Sequence, residues 1–440
     1  MSQPRFSIVI PTRERANTLL FAIRTCLAQT FDDYEIIVCD NCGSPATRET
    51  VESFRSPKVR YVRSNVPLAM SDNWELAVSQ ARGEFVTVVG DDDGLLRHAL
   101  READRLIRVY RAAVIRWACC YYKWPDYASP EVAHRLSFPF SGRAERVRSR
   151  ELLRDLMKEP KRYHELPMIY NSFIHRDLID KLRTRTGRVF KAISPDVYSG
   201  FAVANLVKEF VSVGRPMGIC GTSGHSTGQA LVMGAGVTSG IAKDFLKLND
   251  QSGVGWNEHV PQIPKSISAL IAESCGQCRS NLSLSHFSSA GWARGERKSL
   301  MTAILRDLSE HANLSDDERT AAIDRLQKWC GEDSGLRAWL KAQDRNDASP
   351  QTRDMPTHPR WHKGCGANSF DIDASAFGVF DTDGVAALME NLLGSTVRPI
   401  VARRHRPSRL HQISLEVIPP VVYKFIRASV DVARGKKKAS

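Results

Sequence analysis

The stretch Glu84-Phe85-Val86-Thr87-Val88-Val89-Gly90-Asp91-Asp92-Asp93-Gly94-Leu95-Leu96 runs an apolar segment of strand length straight into three acids. A near-continuous apolar run of this length is the pattern of a strand buried on both faces. Three adjacent carboxylates repel one another unless something positive sits among them, and Gly90 and Gly94 permit close backbone approach there. A hard divalent cation takes one or two carboxylates and completes its shell with phosphate oxygens and water. A charged surface turn is the plainer reading of most Asp pairs. It fits less well at the end of a core strand.

Working outward, Phe6–Ile10 is a β-branched run stopped by Pro11, and Leu19–Ala28 reads as a helix. Tyr34–Cys39 is a second strand ending in Asp40-Asn41-Cys42-Gly43-Ser44. A helix over 47–54, a strand over 59–62 and a helix over 71–81 lead to the strand 84–89, and a further helix is expected over 95–109. This alternation predicts an α/β fold with a mostly parallel sheet covered by helices. Ligands of such sheets bind outside the carboxyl ends of the strands. Residues 11–15, 40–44 and 91–93 then share one rim. From 110 to 225 the pattern is mixed, with strands near 113–117 and 168–174 and helices near 149–157, 177–183 and 198–208. Ser194-Pro195-Asp196-Val197 opens the last of these, and Pro and Asp suit the first turn of any helix. Past 240 the periodicity is helical near 262–274, 297–312 and 316–329, whereas 342–370 reads as a linker. The expected organisation is a catalytic-type domain over 1–235, a helical region over 236–345, a linker-like segment with a short helix over 346–397, and a basic tail over 398–440.

The composition, 42% hydrophobic and 25% charged over 440 residues, is that of a globular chain. Its net charge of +13 is uneven: from Arg398 onward there are eleven Lys or Arg against two acids. A basic tail on a near-neutral body argues against a nucleic-acid-binding protein. Within the tail, Val421, Val422, Phe425, Ile426 and Val430 could form an apolar side beside Lys424, Arg427 and Lys436–Lys438. Contact of 418–440 with an anionic membrane surface is expected. No apolar run reaches transmembrane length and the start lacks signal-peptide features, so the expected location is cytoplasmic, peripheral at the inner face of the membrane. Two C-x-x-C pairs, Cys39/Cys42 and Cys275/Cys278, lack the closely paired knuckles of a zinc site. Gly234-Ala235-Gly236-Val237-Thr238-Ser239-Gly240 misses the dinucleotide spacing by one and reads as a loop.

The N-terminal motifs together resemble the family 2 glycosyltransferases, which have the GT-A fold. Ile8-Val9-Ile10-Pro11-Thr12-Arg13-Glu14-Arg15 is similar to that family's first strand and nucleotide loop. Glu35-Ile36-Ile37-Val38-Cys39-Asp40-Asn41 resembles its second strand, whose terminal Asp contacts the base. Met70-Ser71-Asp72-Asn73-Trp74 and Ala81-Arg82-Gly83-Glu84-Phe85-Val86 resemble the elements before its Asp-x-Asp metal site, where the acidic triplet falls. The resemblance implies a GT-A nucleotide-binding, mixed and mostly parallel sheet with a mainly helical C-terminal region. It further implies an inverting, metal-dependent transfer from a nucleotide-sugar, a UDP-sugar first, to a glycan or lipid-linked acceptor in surface polysaccharide synthesis. Pro11, Thr12, Glu14, Arg15, Asp40, Asn73, Asp91 and Asp92 would bind the donor, and Asp92, Asp93 and His225 would hold Mn²⁺ or Mg²⁺. Asp196, in an acidic motif opening a helix, would be the general base. Gly90 stands where the family's first Asp aligns in one register, so either Asp92 or the pair Asp91 and Asp93 carries the motif.

Two other readings compete. A nucleotidyltransferase would carry a Gly-rich basic loop after the first strand, where this chain has Pro11-Thr12-Arg13-Glu14-Arg15. A non-catalytic scaffold or membrane-binding protein on an inactive domain would be expected to have lost the acidic triplet.

Overall fold

The first strand, β1 (Phe6–Thr12), is buried at every position, as a strand covered on both faces requires. In the computed structural model, which describes residues 3–139, 141–228, 237–282, 292–311, 314–347, 364–366, 369–393 and 401–402, it lies third from one edge of a nine-stranded sheet. Its parallel neighbours are β2 (Tyr34–Asp40) and β4 (Phe85–Val88), and β3 (Val59–Arg63) extends the sheet beyond β2. The helices α1 (Ala16–Leu27), α2 (Pro45–Ser53) and α3 (Met70–Ser79) make the crossovers. At the base of β1, Phe6 is fully buried with its ring 5.4 Å from that of Phe31 and 5.1 Å from that of Phe173. Truncating such a ring typically costs about 3–5 kcal/mol.

Register brings the strand ends level. Thr12 lies opposite Asp40 and Val9 opposite Val88, and Val89 N–H donates to Val9 O at 2.8 Å. The acidic triplet therefore emerges beside Thr12, on the same rim as the Asp40 loop. Glu14 and Cys42, in the first two of these loops, hold φ of 55° and 54°. Left-handed backbone at non-glycine residues stores strain of about 1–3 kcal/mol each, and such residues gather at functional sites.

Three features depart from the sequence expectation, and a fourth, the mixed sheet, agrees with it. Gly94–Leu95 is a short strand, β5, and helix α4 (Ala99–Tyr110) begins later than expected, because the backbone here pairs with a distant segment. The 168–174 run contributes β10 (Ser172–His175), which runs antiparallel between β4 and β6 (Val114–Trp117) and makes the sheet mixed. A second, six-stranded sheet also forms, including β5, β7 (Cys120–Lys123), β8 (Arg135–Pro139) and β12 (Gly218–Thr222). Finally, part of the linker-like segment is ordered into that sheet. Ser369–Asp373 pairs with β8, and the helix Thr382–Leu393 buries Val385, Met389 and Leu392 in its core. Short strands whose partners are remote leave little local periodicity to read.

The helical region follows as expected. Helices at Ile267–Asn281, Arg294–Glu310, Asp316–Trp329 and Ser334–Asp347 close a core around Met301, Ile304, Leu326 and Leu340. The first of them packs on α7 (Pro195–Leu206), joining this region to the sheet domain. No helix among the described residues is long and apolar enough to cross a membrane. The tail segment 418–440 and Gly234–Gly236 lie outside the described residues.

Candidate functional site

A cleft of about 430 Å³ opens at the strand-end rim. Of the residues expected to bind a donor or metal, Pro11, Thr12, Glu14, Arg15, Asn73, Asp91, Asp92 and His225 line it. Asp40, Asp93 and Asp196 do not.

The three acids of the triplet have three different surroundings. Both oxygens of Asp91 are engaged: Thr12 Oγ1 donates to Oδ2 at 2.7 Å and Arg15 Nη1 to Oδ1 at 2.9 Å. Burial pushes the Asp91 carboxyl up, and the Arg15 guanidinium pulls against that shift. Burial also works against the Arg15 charge, but Asp91 and then Asp92 outweigh it, so that cation is held firmly. Asp93 faces away from the cleft, with Gly221 N–H donating to Oδ1 at 2.7 Å and Gly90 N–H to Oδ2 at 2.9 Å. Burial, then the charge of Asp92, raises its carboxyl well above the usual range. Its part is to fasten the turn to β12, not to present an open ligand as expected, because the turn's backbone N–H groups take both of its oxygens.

Asp92 is the exception. Ser223 Oγ donates to its Oδ2 at 2.7 Å and Trp124 Nε1 to its main-chain carbonyl at 2.8 Å, whereas Oδ1 accepts no hydrogen bond among the described residues. No group of three or more His, Cys, Asp or Glu side chains among those residues is arranged to hold a metal by itself. A divalent cation whose remaining shell is phosphate and water needs less, and an open carboxylate oxygen beside a second carboxylate fits it.

Asp40 is fully buried. It accepts from Tyr61 Oη at 2.6 Å and Gly43 N–H at 2.8 Å, and Arg63 Nε lies 3.5 Å away. Its carboxylate is consumed in shaping the second loop, and the neighbouring Asn41 reaches the cleft wall instead. His225 is exposed at the mouth, and its carbonyl accepts from Arg15.

Asp196 sits in the first turn of α7, where Ser194 Oγ donates to its Oδ1 at 2.5 Å. Burial raises its carboxyl above the ordinary range. Its segment is stapled to the cleft wall, since Ser71 Oγ on α3 donates to Ala192 O at 2.5 Å and Arg188 Nη2 donates to Asp72 at 2.5 Å.

Sequence reasoning missed Ser223, Gly221 and Trp124, which seat the triplet, and Asp244, Phe245 and Leu248, which wall the cleft from the helix Val237–Ser252. One signal was present: Gly218 and Gly221, both within β12, mark close backbone approach in a strand. A Cβ on Gly221 would lie 1.7 Å from the Asp92 carbonyl oxygen. Gly221→Ala should therefore cost about 3 kcal/mol, read from the midpoint of urea unfolding.

A strand-end cleft with the Arg15–Asp91 pair and one open carboxylate is the ligand-facing rim of an α/β domain. More particularly, residues 7–174 match the family described as "Glycosyl transferase family 2". The chain is 36% identical over 100 residues to the GalNAc(5)-diNAcBac-PP-undecaprenol beta-1,3-glucosyltransferase of Campylobacter jejuni, covering 22% of this chain and 32% of that protein. It is 26% identical over 87 residues to the UDP-Glc:alpha-D-GlcNAc-diphosphoundecaprenol beta-1,3-glucosyltransferase WfgD of Escherichia coli, covering 20% and 34%. The chain thus spans about a third of the length of these relatives. Among solved structures, Staphylococcus aureus TarS 1-349 in complex with UDP aligns over 78% of this chain and 88% of its own, with 13% identity and a TM-score of 0.44.

Proposed function

We propose that the protein moves a sugar from a nucleotide-sugar donor, a UDP-sugar first, to a hydroxyl of a glycan or lipid-linked acceptor, with inversion and divalent-metal help. The observation that carries this reading is the open Asp92 Oδ1 on the wall of a cleft framed by Thr12, Arg15 and Asn73. The relatives named for UDP-Glc and for undecaprenol-linked acceptors support the donor and acceptor classes, and with them a place in surface polysaccharide synthesis.

In this reading Pro11, Thr12, Glu14, Arg15 and Asn73 bind the donor, with Thr12 and Arg15 also orienting Asp91, and Asp40 acts through the shape of its loop. Asp92, with Asp91 behind it and His225 at the mouth, would hold Mn²⁺ or Mg²⁺. Such a cation supplies charge neutralisation for a departing diphosphate. Asp196 takes the proton of the acceptor hydroxyl as that oxygen forms its bond to the anomeric carbon. The bond from that carbon to the diphosphate oxygen breaks on the opposite face, and its electron pair leaves with the nucleotide. The eleven basic residues from Arg398 onward support contact with an anionic membrane at its inner face, where a lipid-linked acceptor would reside.

Calorimetric titration with UDP tests the donor site. Binding should tighten at least about tenfold on adding Mn²⁺. Equal affinity with and without the ion would count against Asp92 as its seat. Vesicle co-sedimentation tests the tail: binding to anionic vesicles should be lost on deleting 418–440, and equal binding to neutral vesicles would exclude the electrostatic account.

A further inference from the structure

Outside the donor cleft, the open face of the second sheet carries aromatic hydroxyls that donor binding does not use. Along β7, Cys120 and Tyr122 are fully buried in the core beneath the helix Thr382–Leu393, so strand alternation turns Tyr121 outward, 39% exposed. Tyr121 is in register with Cys220 of β12. That strand supplies Gly221 to Asp93, and Ser223, just beyond its end, bonds Asp92. Tyr121 therefore stands one strand from the acidic turn.

Tyr170 occupies the other flank. With Cys119 and Cys220 it shares a small cavity with Asp93. The N–H of the preceding residue, Ile169, donates to Ser199 Oγ at 3.0 Å, and that hydroxyl donates to the Asp196 carbonyl at 2.6 Å. Tyr170 is thus tied both to the acidic turn and to the turn that bears Asp196. Tyr163, on the short 3₁₀ helix Pro160–Glu165, completes the group. The carbonyl of the next residue, His164, accepts from Asn171 Nδ2 at 3.2 Å, which sets Tyr163 beside Tyr170. Tyr163 and Tyr170 are half-buried, leaving part of each accessible.

We propose that Tyr121, Tyr163 and Tyr170 form an acceptor subsite that stacks on the apolar C–H face of a neutral pyranose and directs one of its hydroxyls to Asp196. This rests on the glycosyl-transfer reading. An aromatic face is electron-rich and attracts the weakly positive C–H groups of a sugar ring, while phenol hydroxyls exchange hydrogen bonds with ring hydroxyls. The charges flanking the rings select a neutral unit. Ionised Asp196 would repel a phosphate, Lys123 on the Tyr121 side of β7 is engaged by Thr222 Oγ1 at 3.3 Å and the Tyr127 ring, and the nearby Arg116 is buried and committed to Ser212 Oγ at 3.1 Å and His164 O at 2.6 Å.

Saturation-transfer NMR on the full chain, with UDP and Mn²⁺ present, tests the subsite. The probes are methyl β-glucoside, methyl β-galactoside, methyl N-acetyl-β-glucosaminide and, as the anionic control, glycerol phosphate. A methyl glycoside should receive saturation at its ring C–H protons and glycerol phosphate should not. Tyr121→Ala and Tyr163→Ala should weaken glycoside binding about tenfold, Tyr121→Phe should retain stacking, and the UDP signal should persist in all of them. Tyr121→Leu keeps apolar bulk without a ring and replaces the alanine variant if that does not fold. Full glycoside signal in the variants lacking a ring, preference for glycerol phosphate, or silence of all three glycosides while UDP binds would each overturn the proposal. Tyrosine-dependent glycoside binding without UDP binding would uphold the subsite and reject the donor reading.

Discussion

Asp92→Ala is expected to lower kcat by about a thousandfold or more while leaving the fold intact. The magnitude follows from what the side chain alone offers. Both oxygens of Asp91 are engaged by Thr12 and Arg15, and both of Asp93 by backbone N–H groups. Only Asp92 has one unoccupied among the described residues, and Ser223 holds its other oxygen in place. Asp93→Asn should behave differently, because an amide oxygen replaces only one of the two acceptors that tie Gly90 and Gly221 together. That variant should lose stability, read as a lower unfolding midpoint, with a smaller effect on turnover per folded molecule. If Asp93→Asn stopped turnover in a fully folded protein while Asp92→Ala did not, the two carboxylates would have to exchange roles.

The second large effect is expected for Asp196→Asn, a loss of about 10²–10⁴-fold in kcat with nucleotide binding unchanged. Because burial raises this carboxyl, its ionised, proton-accepting form appears only above the ordinary carboxylate range. Wild-type kcat/KM should therefore fall as pH drops through that raised value, and the limb should vanish in the variant. The sign for stability is opposite. A carboxyl raised on folding favours the protonated state, so the ionised side chain costs stability at neutral pH and the asparagine variant should unfold no earlier than wild type. A variant that lost activity only in proportion to lost folded protein would reduce Asp196 to a helix-capping role.

Much of the first sheet is legible because each strand carries its own signal. The run Phe6–Ile10 is apolar but for Ser7 and the run Phe85–Val89 but for Thr87, and Pro11 and Gly90 stop them. Because parallel strands share a rim, Thr12, Arg15 and Asp91 could be gathered before any contact was known. The seat of the triplet was not legible in the same way. Ser223, Gly221 and Trp124 lie in or just beyond strands of a second sheet whose strands are two to five residues long, and their alternation is too brief to separate from loop. Asp40 shows a different limit: a motif fixes where a carboxylate starts, but the hydrogen bonds from Tyr61 and Gly43 decide where it points. The segment 346–397 reads as linker-like with a short helix because 342–370 is rich in Asp, Pro, Thr, His and Gly, yet Phe370 and Met389 are core residues.

The central claim is that the open carboxylate serves nucleotide-sugar transfer. The most direct measurement is release of nucleoside diphosphate from a panel of nucleotide-sugars with a methyl glycoside acceptor, with and without Mn²⁺. The account predicts release from a UDP-sugar that requires the ion, yields an inverted glycoside, and disappears in Asp92→Ala. Release that is indifferent to the ion and to Asp92, or a product that retains the donor's anomeric configuration, would contradict it.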